Sequence, residues 1–285
     1  KPSSAASDVY MSQRVYDAEL MRRAFEYCRM FDKPILAHEE VLELSHGGVM
    51  NEGIVSMSLG LEGMPAAAEE VMIGRDIALA DVTGGRLHVM HVSTAQGVDL
   101  IREAKSRGIR VTAEACPHHF TLTDESLRGF DSNFKMSPPL RTAKDVEGIL
   151  AGLADGTIDC IATDHAPHAP EKKLLELDRA PFGILGLETA VGLSVTRLIE
   201  SGRIDWPRFV EAISLLPARI LGINRGTLRP GAIADVTLID PSHEWQVDVN
   251  SFASKSVNSP FHGWTLRGRA VATIVHGKVK YRLSS

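Results

Sequence analysis

The residues best suited to chemistry lie in one short segment near the middle of the chain, Asp164-His165-Ala166-Pro167-His168. Residues 158–163, just before it, are mostly apolar and include β-branched side chains, a pattern that predicts a buried strand. The His and Pro residues cannot continue that strand, so Asp164 is expected at its carboxyl end. A carboxylate and two imidazoles so close together indicate a metal site or a proton-transfer site. The segment alone equally allows a structural role, in which Asp164 caps the next helix.

Two histidines occupy the same kind of position elsewhere in the chain. Residues 34–37 predict a short buried strand followed by His38, and residues 86–92 predict another that contains His91 near its end. The carboxyl ends of parallel strands meet at one edge of a fold, where loops converge and sites lie. We therefore expect His38, His91 and Asp164 to share one site. A lone histidine more often packs than binds, but three residues that each end a different strand indicate a common purpose.

The ligand types decide what chemistry such a site would perform. Imidazole and carboxylate ligands with open positions are typical of catalytic zinc, whereas structural zinc usually takes cysteine thiolates. Bound zinc lowers the pKa of water to about 7 and so supplies hydroxide at neutral pH. Asp164 could hold that water and accept its proton. We interpret two other histidines, His88 and His119, as hydrogen-bonded packing residues.

Helical and extended patterns alternate through the first part of the chain. Strands are centred near residues 36, 89, 112 and 161, and helices are predicted over residues 14–31, 65–82, 95–107 and 143–154. This alternation predicts parallel βα units. Four units make half of an eight-stranded barrel and leave two edges unpaired, so we expect other residues to supply the rest. The Gly- and Ser-rich residues 45–64 predict a long loop that lines a site.

The pattern changes after residue 188. Two helices are predicted, over residues 189–200 and 205–221, with Asp205 as the N-cap of the second. Short extended segments then predict a small antiparallel β subdomain, with strands over residues 226–228, 234–240 and 270–278. The predicted domains are therefore a barrel portion over residues 1–225 and a β subdomain over residues 226–285.

Composition excludes several classes of function. The net charge of -5 is spread over interspersed acidic and basic residues, so no nucleic-acid surface is expected. No apolar run approaches the roughly 20 residues that span a bilayer, which argues against a membrane protein. We interpret the three cysteines, Cys28, Cys116 and Cys160, as reduced residues of a cytoplasmic protein, because they lack C-x-x-C spacing.

Several segments form a recognisable set of motifs. They are residues 35–40 (ILAHEE), 88–95 (HVMHVSTA), 111–119 (VTAEACPHH), 135–141 (KMSPPLR), 162–168 (ATDHAPH), 180–183 (APFG) and 229–235 (RPGAIAD). In sequence and in order they resemble the bacterial dihydroorotases of the amidohydrolase superfamily. The resemblance covers essentially the whole chain, and residues 135–141 and 162–168 are its most specific parts.

The resemblance implies a (β/α)8 TIM-type barrel of a metal-dependent hydrolase, of which this chain supplies about the last four βα units. The implied reaction is the zinc-dependent, reversible cyclisation of N-carbamoyl-L-aspartate to L-dihydroorotate in de novo pyrimidine biosynthesis, with one or two Zn²⁺ ions. By matching position, His38 and His91 would bind one metal. Asp164 would bind the other and carry the proton between water and the amide nitrogen.

The resemblance also implies substrate-binding residues. His168 would hydrogen-bond the substrate, and the backbone of Phe182 and Gly183 would line its ring. The alternatives without a substrate role are that His168 only stabilises its loop and that Phe182 and Gly183 only form a turn. At Ser137 the family more often has Asn, which would contact substrate, whereas the shorter serine would reach it only through water.

The chain departs from the family in its first part. The family's first barrel strand carries a His-x-His pair beside a substrate arginine, and its fourth strand supplies a bridging carboxylate or modified lysine. No His-x-His occurs in this sequence. We expect that the amino-terminal part of the protein lies outside this sequence and that Lys1 follows the fourth strand. Asp8 is an alternative ligand, but it precedes a predicted helix in an insertion-like stretch.

Two other functions stay open. A sister cyclic amidohydrolase, such as a hydantoinase or allantoinase, would share the metal ligands, although the PPLR and DHAPH motifs favour a dihydroorotase. A catalytically silent dihydroorotase-like subunit would instead act as a scaffold for aspartate transcarbamoylase, but such a role needs no open metal ligands. The expected partners are a small-molecule substrate, a second copy in a homodimer and, as a further association, aspartate transcarbamoylase.

Overall fold

A four-stranded parallel sheet forms the centre of the fold in a computed structural model, which describes residues 15–283. Elements are numbered in chain order, and the strands of this sheet lie in the order β1 (Pro34–Ala37), β4 (Arg86–Val89), β5 (Val111–Ala115) and β6 (Cys160–Ile161). Every neighbouring pair is parallel, as the alternating pattern predicted. All four strands therefore direct their carboxyl ends toward the same edge.

Four helices pack against these strands: the first precedes β1, and the other three connect successive strands. They are α1 (Ala18–Arg29), α4 (Ala67–Thr83), α5 (Ala95–Ser106) and α6 (Ala143–Asp155). Thr94 begins α5 by accepting a hydrogen bond from the Gly97 amide, and Gly156 ends α6 in a left-handed conformation. The helices and the sheet share one buried apolar cluster. Within residues 15–283, no helix combines the length and apolar character that a bilayer crossing requires.

The stretch predicted as a long loop contains short regular elements. They are α2 (Leu42–Ser45), β2 (Met50–Asn51), α3 (Ile54–Leu59) and β3 (Gly63–Met64), with β2 and β3 paired in parallel. Part of the glycine content reflects close packing, because a Cβ on Gly63 would lie 2.4 Å from the Glu52 Cα. Met50 and Val55 are buried in a second apolar cluster, and this tertiary packing overrides the weak local signal.

The carboxyl-terminal region agrees with prediction in type and differs in detail. Its helices are α8 (Ala190–Ser194), α9 (Trp206–Val210) and α10 (Leu216–Leu221), continued by π-helical turns over Val195–Ile199 and Glu211–Leu215; α7 (Pro170–Lys173) precedes them. Asp205 caps α9 as predicted. The antiparallel sheet consists of β7 (Val236–Gln246), β8 (Thr265–Val275) and β9 (Lys278–Arg282).

One predicted strand of this region is wrong. Residues 226–228 are not extended in a sheet. Gly226 instead has φ +76° and approaches the Leu215 Cα so closely that a Cβ would lie 3.0 Å from it. A left-handed turn packed on a helix leaves no strand geometry for the residues that follow.

The buried side chain of Arg141 connects several of the loops at the carboxyl edge of the sheet through hydrogen bonds. The Arg141 guanidinium donates to the Asn51 Oδ1 (3.0 Å), to the Met64 carbonyl (2.7 Å) and to the Ser93 Oγ (3.1 Å). Its Nη2 lies 3.8 Å from the carboxylate of Glu69, which is also buried. Burial raises the pKa of Glu69, and the charge of Arg141 opposes that rise. The arginine of the PPLR motif is therefore a structural cation in this fold.

Arg141→Met is expected to lower the free energy of unfolding by about 3 kcal/mol or more, because it leaves the Glu69 carboxylate buried without its opposite charge and the Asn51, Met64 and Ser93 acceptors without this donor. Urea denaturation measures the change. Arg128→Met is the matched control, since Arg128 is exposed and pairs with Glu125, and such a pair contributes at most about 1 kcal/mol. Equal losses in the two variants would contradict the assigned role of Arg141.

Candidate active site

The three predicted metal ligands lie just beyond the ends of their strands. His38 directly follows β1, His91 follows β4, and Asp164 follows β6. The Nδ1 atom of His38 lies 3.0 Å from the Nε2 atom of His91, with the two rings edge to face. Asp164 is close enough to His38 for the imidazole charge to lower the pKa of its carboxyl. The structure thus brings His38 and His91 into contact and places Asp164 within electrostatic range of His38.

The backbone at two of these positions adopts an uncommon conformation. His91 has φ 34° and Asp164 has φ 43°. Positive φ in residues other than glycine costs of order 1–3 kcal/mol and is found most often at functional sites. The β4–β5 and β5–β6 pairings precede these two positions in the chain, and the uncommon backbone conformation sets the direction in which each side chain leaves the main chain.

The carboxyl of Asp164 has a raised pKa. Burial raises its pKa to about 6, the His38 charge opposes this, and the nearby Glu114 adds to the rise. A group with a pKa close to the working pH both accepts and returns a proton readily.

Glu40, which the sequence marked only as the last residue of the ILAHEE motif, contacts the His38 ring. Its Oε2 lies 3.0 Å from the Nε2 of His38, and the Ser45 hydroxyl donates to its other oxygen. A carboxylate on the far nitrogen of a histidine is the usual support of a metal ligand, because it fixes the tautomer and orientation of the ring. The only available signal was the position of Glu40, two residues after His38 at a strand end.

This donor set fits a zinc-type ion. The Nδ1 of His38 and the Nε2 of His91 lie 3.0 Å apart, within hydrogen-bond distance, and the Glu40 carboxylate contacts the other nitrogen of the His38 ring. Imidazole and carboxylate are the ligands of catalytic zinc. Among residues 15–283, the His-x-His ligands that the resemblance implies have no counterpart, and Asp8 lies outside the described residues.

Three of the four predicted substrate residues, His168, Phe182 and Gly183, lie together. The Nε2 of His168 is 2.7 Å from the Phe182 carbonyl oxygen, which only accepts, so the ring donates. Gly183 has φ 139°, and a Cβ there would come within 2.8 Å of the His168 ring, so the segment requires glycine. Ser137 lines a cavity with several residues of the site and its supports, His38, Glu40, Ser45, Glu69 and Arg141.

Two buried lysines hold the loop that carries Phe182 and Gly183. The Nζ of Lys173 donates to the carbonyls of Pro181 (3.0 Å) and Gly183 (3.1 Å). The Nζ of Lys135 donates to the Leu177 carbonyl (2.6 Å) and lies 4.5 Å from the centre of the Phe182 ring. Burial lowers the pKa of Lys173 to about 8. No sequence pattern marked Lys173, and Lys135 stood out only as the first residue of the KMSPPLR motif, because the acceptors of both lysines are backbone atoms that only the folded loop brings near.

Asn258 joins this loop to the segment after β6. Its Nδ2 donates to the carbonyls of Ala166 (2.9 Å) and Gly183 (3.1 Å), and its Oδ1 accepts from the His168 amide (3.0 Å). One side chain therefore fixes the spacing between the two segments that carry the predicted substrate residues.

The two histidines interpreted as packing residues are buried and hydrogen-bonded. His88 bonds the Thr112 hydroxyl (2.9 Å) and the Glu114 carboxylate (3.0 Å). His119 donates from Nε2 to the Pro138 carbonyl (2.9 Å). All three cysteines are free.

Comparisons with known proteins agree with this geometry. Residues 11–280 match the amidohydrolase family. The chain is 57% identical to the dihydroorotase of Pelotomaculum thermopropionicum, over 93% of this chain and 62% of that protein. It is 53% identical to the dihydroorotase of Citrifermentans bemidjiense, over 94% of this chain and 63% of that protein. The chain therefore spans less than two thirds of the length of these relatives.

Solved structures give the same fold. The L-hydantoinase of Arthrobacter aurescens superposes with a TM-score of 0.85 at 28% identity, over 96% of this chain and 64% of that one. The D-hydantoinase of a Thermus species superposes with a TM-score of 0.83 at 29% identity, over 93% of this chain and 60% of that one. The predicted TIM-type barrel architecture with a carboxyl-terminal antiparallel sheet is confirmed. The chain is a member of the amidohydrolase family.

Proposed function

We propose that this protein is a dihydroorotase that reversibly cyclises N-carbamoyl-L-aspartate to L-dihydroorotate, in de novo pyrimidine biosynthesis. The convergence of His38, His91 and Asp164 beyond three parallel strands is the observation that carries the proposal. Sequence identity separates the candidate substrates, because it is about twice as high toward dihydroorotases as toward hydantoinases.

We propose that the cofactor is Zn²⁺, with His38 and His91 holding one ion and Asp164 contributing to a second. When bound, zinc would polarise the ring carbonyl and lower the pKa of water. In the hydrolytic direction, a carboxylate oxygen of Asp164 accepts a proton from the attacking water and gives it to the departing ring nitrogen. Ring closure runs through the same positions in reverse.

The substrate contacts form part of the proposal. His168 already donates from Nε2 to the Phe182 carbonyl, so its remaining ring nitrogen is the atom we assign to the substrate. The backbone of Phe182 and Gly183 lines the substrate ring, with its position set by the lysines beneath it. Ser137 reaches the substrate through water.

Turnover of the complete gene product on dihydroorotate, hydantoin and allantoin tests the function. We expect kcat/KM for dihydroorotate to exceed the other two by at least about 100-fold, because a site that hydrogen-bonds substrate groups rejects analogues that lack them. Preferred turnover of hydantoin or allantoin would favour the sister hydrolases. No turnover on any of them by metal-loaded protein would favour the scaffold role.

The assembly and location belong to the same proposal. A homodimer, an association with aspartate transcarbamoylase and a cytoplasmic location are predicted, and light scattering with and without the transcarbamoylase tests the first two. We also propose the division of the chain at residue 225 into a barrel portion and a β subdomain.

Lys173→Met is expected to raise KM for dihydroorotate about tenfold, with kcat changed less than about threefold. The substitution removes the donor to two carbonyls of the substrate loop, and such hydrogen bonds contribute about 1 kcal/mol each. Steady-state kinetics measure both constants. The matched control is Lys172→Met, because Lys172 is the exposed neighbour of Lys173 and has no such contact. An unchanged KM for Lys173→Met would show that the lysine does not position the loop.

A further inference from the structure

A second group of metal-binding side chains lies on the turn that follows β5. Cys116, His118 and His119 each offer one ligand atom, and these atoms all lie within 4.8 Å of one another. All three residues are buried, with exposures of 0%, 1% and 2%. None of them belongs to the group formed by His38, His91 and Asp164. The cluster therefore raises a separate question about what its ligand atoms bind.

The hydrogen bond of His119 fixes which of its nitrogens can bind. Its Nε2 lies 2.9 Å from the Pro138 carbonyl oxygen, and because a carbonyl only accepts, Nε2 carries the hydrogen. In the neutral ring, Nδ1 then presents a lone pair. That Nδ1 is buried and has no hydrogen-bond partner within residues 15–283. A histidine that donates to a backbone carbonyl from one nitrogen and presents the other is the usual form of a metal ligand.

His118 has a similar buried atom. Its Nε2 has no hydrogen-bond partner in the described part of the chain. The His118 and His119 rings meet edge to face, with centroids 4.3 Å apart. Buried polar atoms without partners are rare and unfavourable, and two of them beside a thiol need a common explanation.

The charge states of the three groups suit a cation. Burial lowers the pKa of His118 well below its usual value and lowers that of His119 to about 4, so both rings are neutral at pH 7. Neutral imidazole is the form that binds metal. Burial also raises the pKa of the Cys116 thiol, so this group is protonated unless a cation replaces the proton. Binding would form a sulfur–metal bond and release one proton to solvent.

We propose that Cys116, His118 and His119 form a second cation site, which takes a zinc-type divalent ion and is separate from the catalytic ligands. A thiolate with two imidazoles selects a borderline-soft ion such as zinc over magnesium or calcium. The ion would hold the turn of residues 116–119 in one conformation, and this turn lies within electrostatic range of Asp164 and His91. Under this proposal His119 is a ligand as well as a packing residue.

Cobalt replacement tests the site, because a thiolate bound to Co²⁺ gives a sulfur-to-metal charge-transfer absorption that imidazole and carboxylate ligands do not give. The complete gene product is depleted of metal and reloaded with Co²⁺ alone. We expect the near-ultraviolet band in the wild type, in Cys28→Ser and in Cys160→Ser. We expect Cys116→Ser to lose the band and one bound cobalt ion per chain. A wild type that binds cobalt without the band, or a band retained in Cys116→Ser, would overturn the proposal.

His119→Gln provides a second arm that leaves every cysteine in place. Loss of one nitrogen ligand should lower the affinity for this cobalt ion by at least tenfold. The affinity is measured by titrating Co²⁺ into the protein and following the absorption of the charge-transfer band. Equal affinity in wild type and His119→Gln would exclude His119 as a ligand. If Cys116→Ser does not fold, X-ray absorption spectroscopy on the cobalt-loaded wild-type protein tests the proposal instead. The proposal requires a sulfur atom among the neighbours of cobalt, and the absence of sulfur would overturn it.

Discussion

Asp164→Asn is expected to reduce kcat/KM of the complete gene product on dihydroorotate by about 10³-fold or more while the fold is retained. The amide has nearly the shape of the carboxyl but cannot accept a proton from water, and general acid–base groups contribute about 10²–10⁴ in rate. Dihydroorotate consumption, followed spectrophotometrically, gives the rate, and circular dichroism gives the fold.

Asp99→Asn is the matched control for this variant. Asp99 lies on α5, is exposed and pairs only with Arg102 among the ion pairs of the described residues, so its loss should leave kcat/KM within about twofold. Metal content measured on the same samples separates the two roles proposed for Asp164. Metal retained with the rate lost indicates proton transfer, and metal lost with the rate indicates ligation. A rate for Asp164→Asn within tenfold of wild type would remove the residue from the mechanism.

His91→Asn is expected to weaken metal binding by more than about 100-fold and to abolish turnover at limiting metal. The variant removes one of the two nitrogens that converge at 3.0 Å. Loss of a supporting group alone typically costs 10–100-fold in metal affinity, so loss of a ligand should cost more. Competition with a chelator of known affinity measures the change.

Glu40→Gln is expected to have a metal affinity between those of the wild type and His91→Asn. The amide can still contact the His38 ring but no longer orients it as a carboxylate does, so we expect metal affinity to fall by about 10–100-fold. His46→Asn is the control, because His46 is exposed and no contact ties it to the site. If Glu40→Gln and His46→Asn bind metal equally well, the supporting role of Glu40 is wrong. If His91→Asn retains normal affinity, the proposed metal ligands are wrong.

The sequence was sufficient for the parts of the site that depend on local pattern. An apolar strand followed by a polar residue is a local signal, and the parallel arrangement of strands then brings His38, His91 and Asp164 to one edge. The prediction needed only the hydrophobic period and the rule for parallel strands. Whether these residues bind metal is a separate matter that the proposed variants decide.

The parts that the sequence missed depend on contacts between distant segments. Arg141 lies in the KMSPPLR motif, yet its acceptors on Asn51 and Met64 are far away in sequence, so the motif did not predict these contacts. Lys173 bonds backbone carbonyls, which carry no residue identity for a pattern to detect. The short elements between residues 45 and 64 form because their apolar side chains find partners elsewhere in the fold. In each case tertiary packing, and not local propensity, decides the outcome.

Asn258 limits how the two proposed parts of the chain can be exchanged between relatives. It lies beyond residue 225, yet it holds the segments that contain Ala166, His168 and Gly183. All of its bonds go to main-chain atoms, so a chimeric protein needs this amide at the right place but not matching side chains on the loops. A donor tail that lacks an equivalent asparagine should fold on the recipient barrel but leave the segments of Ala166, His168 and Gly183 without this link.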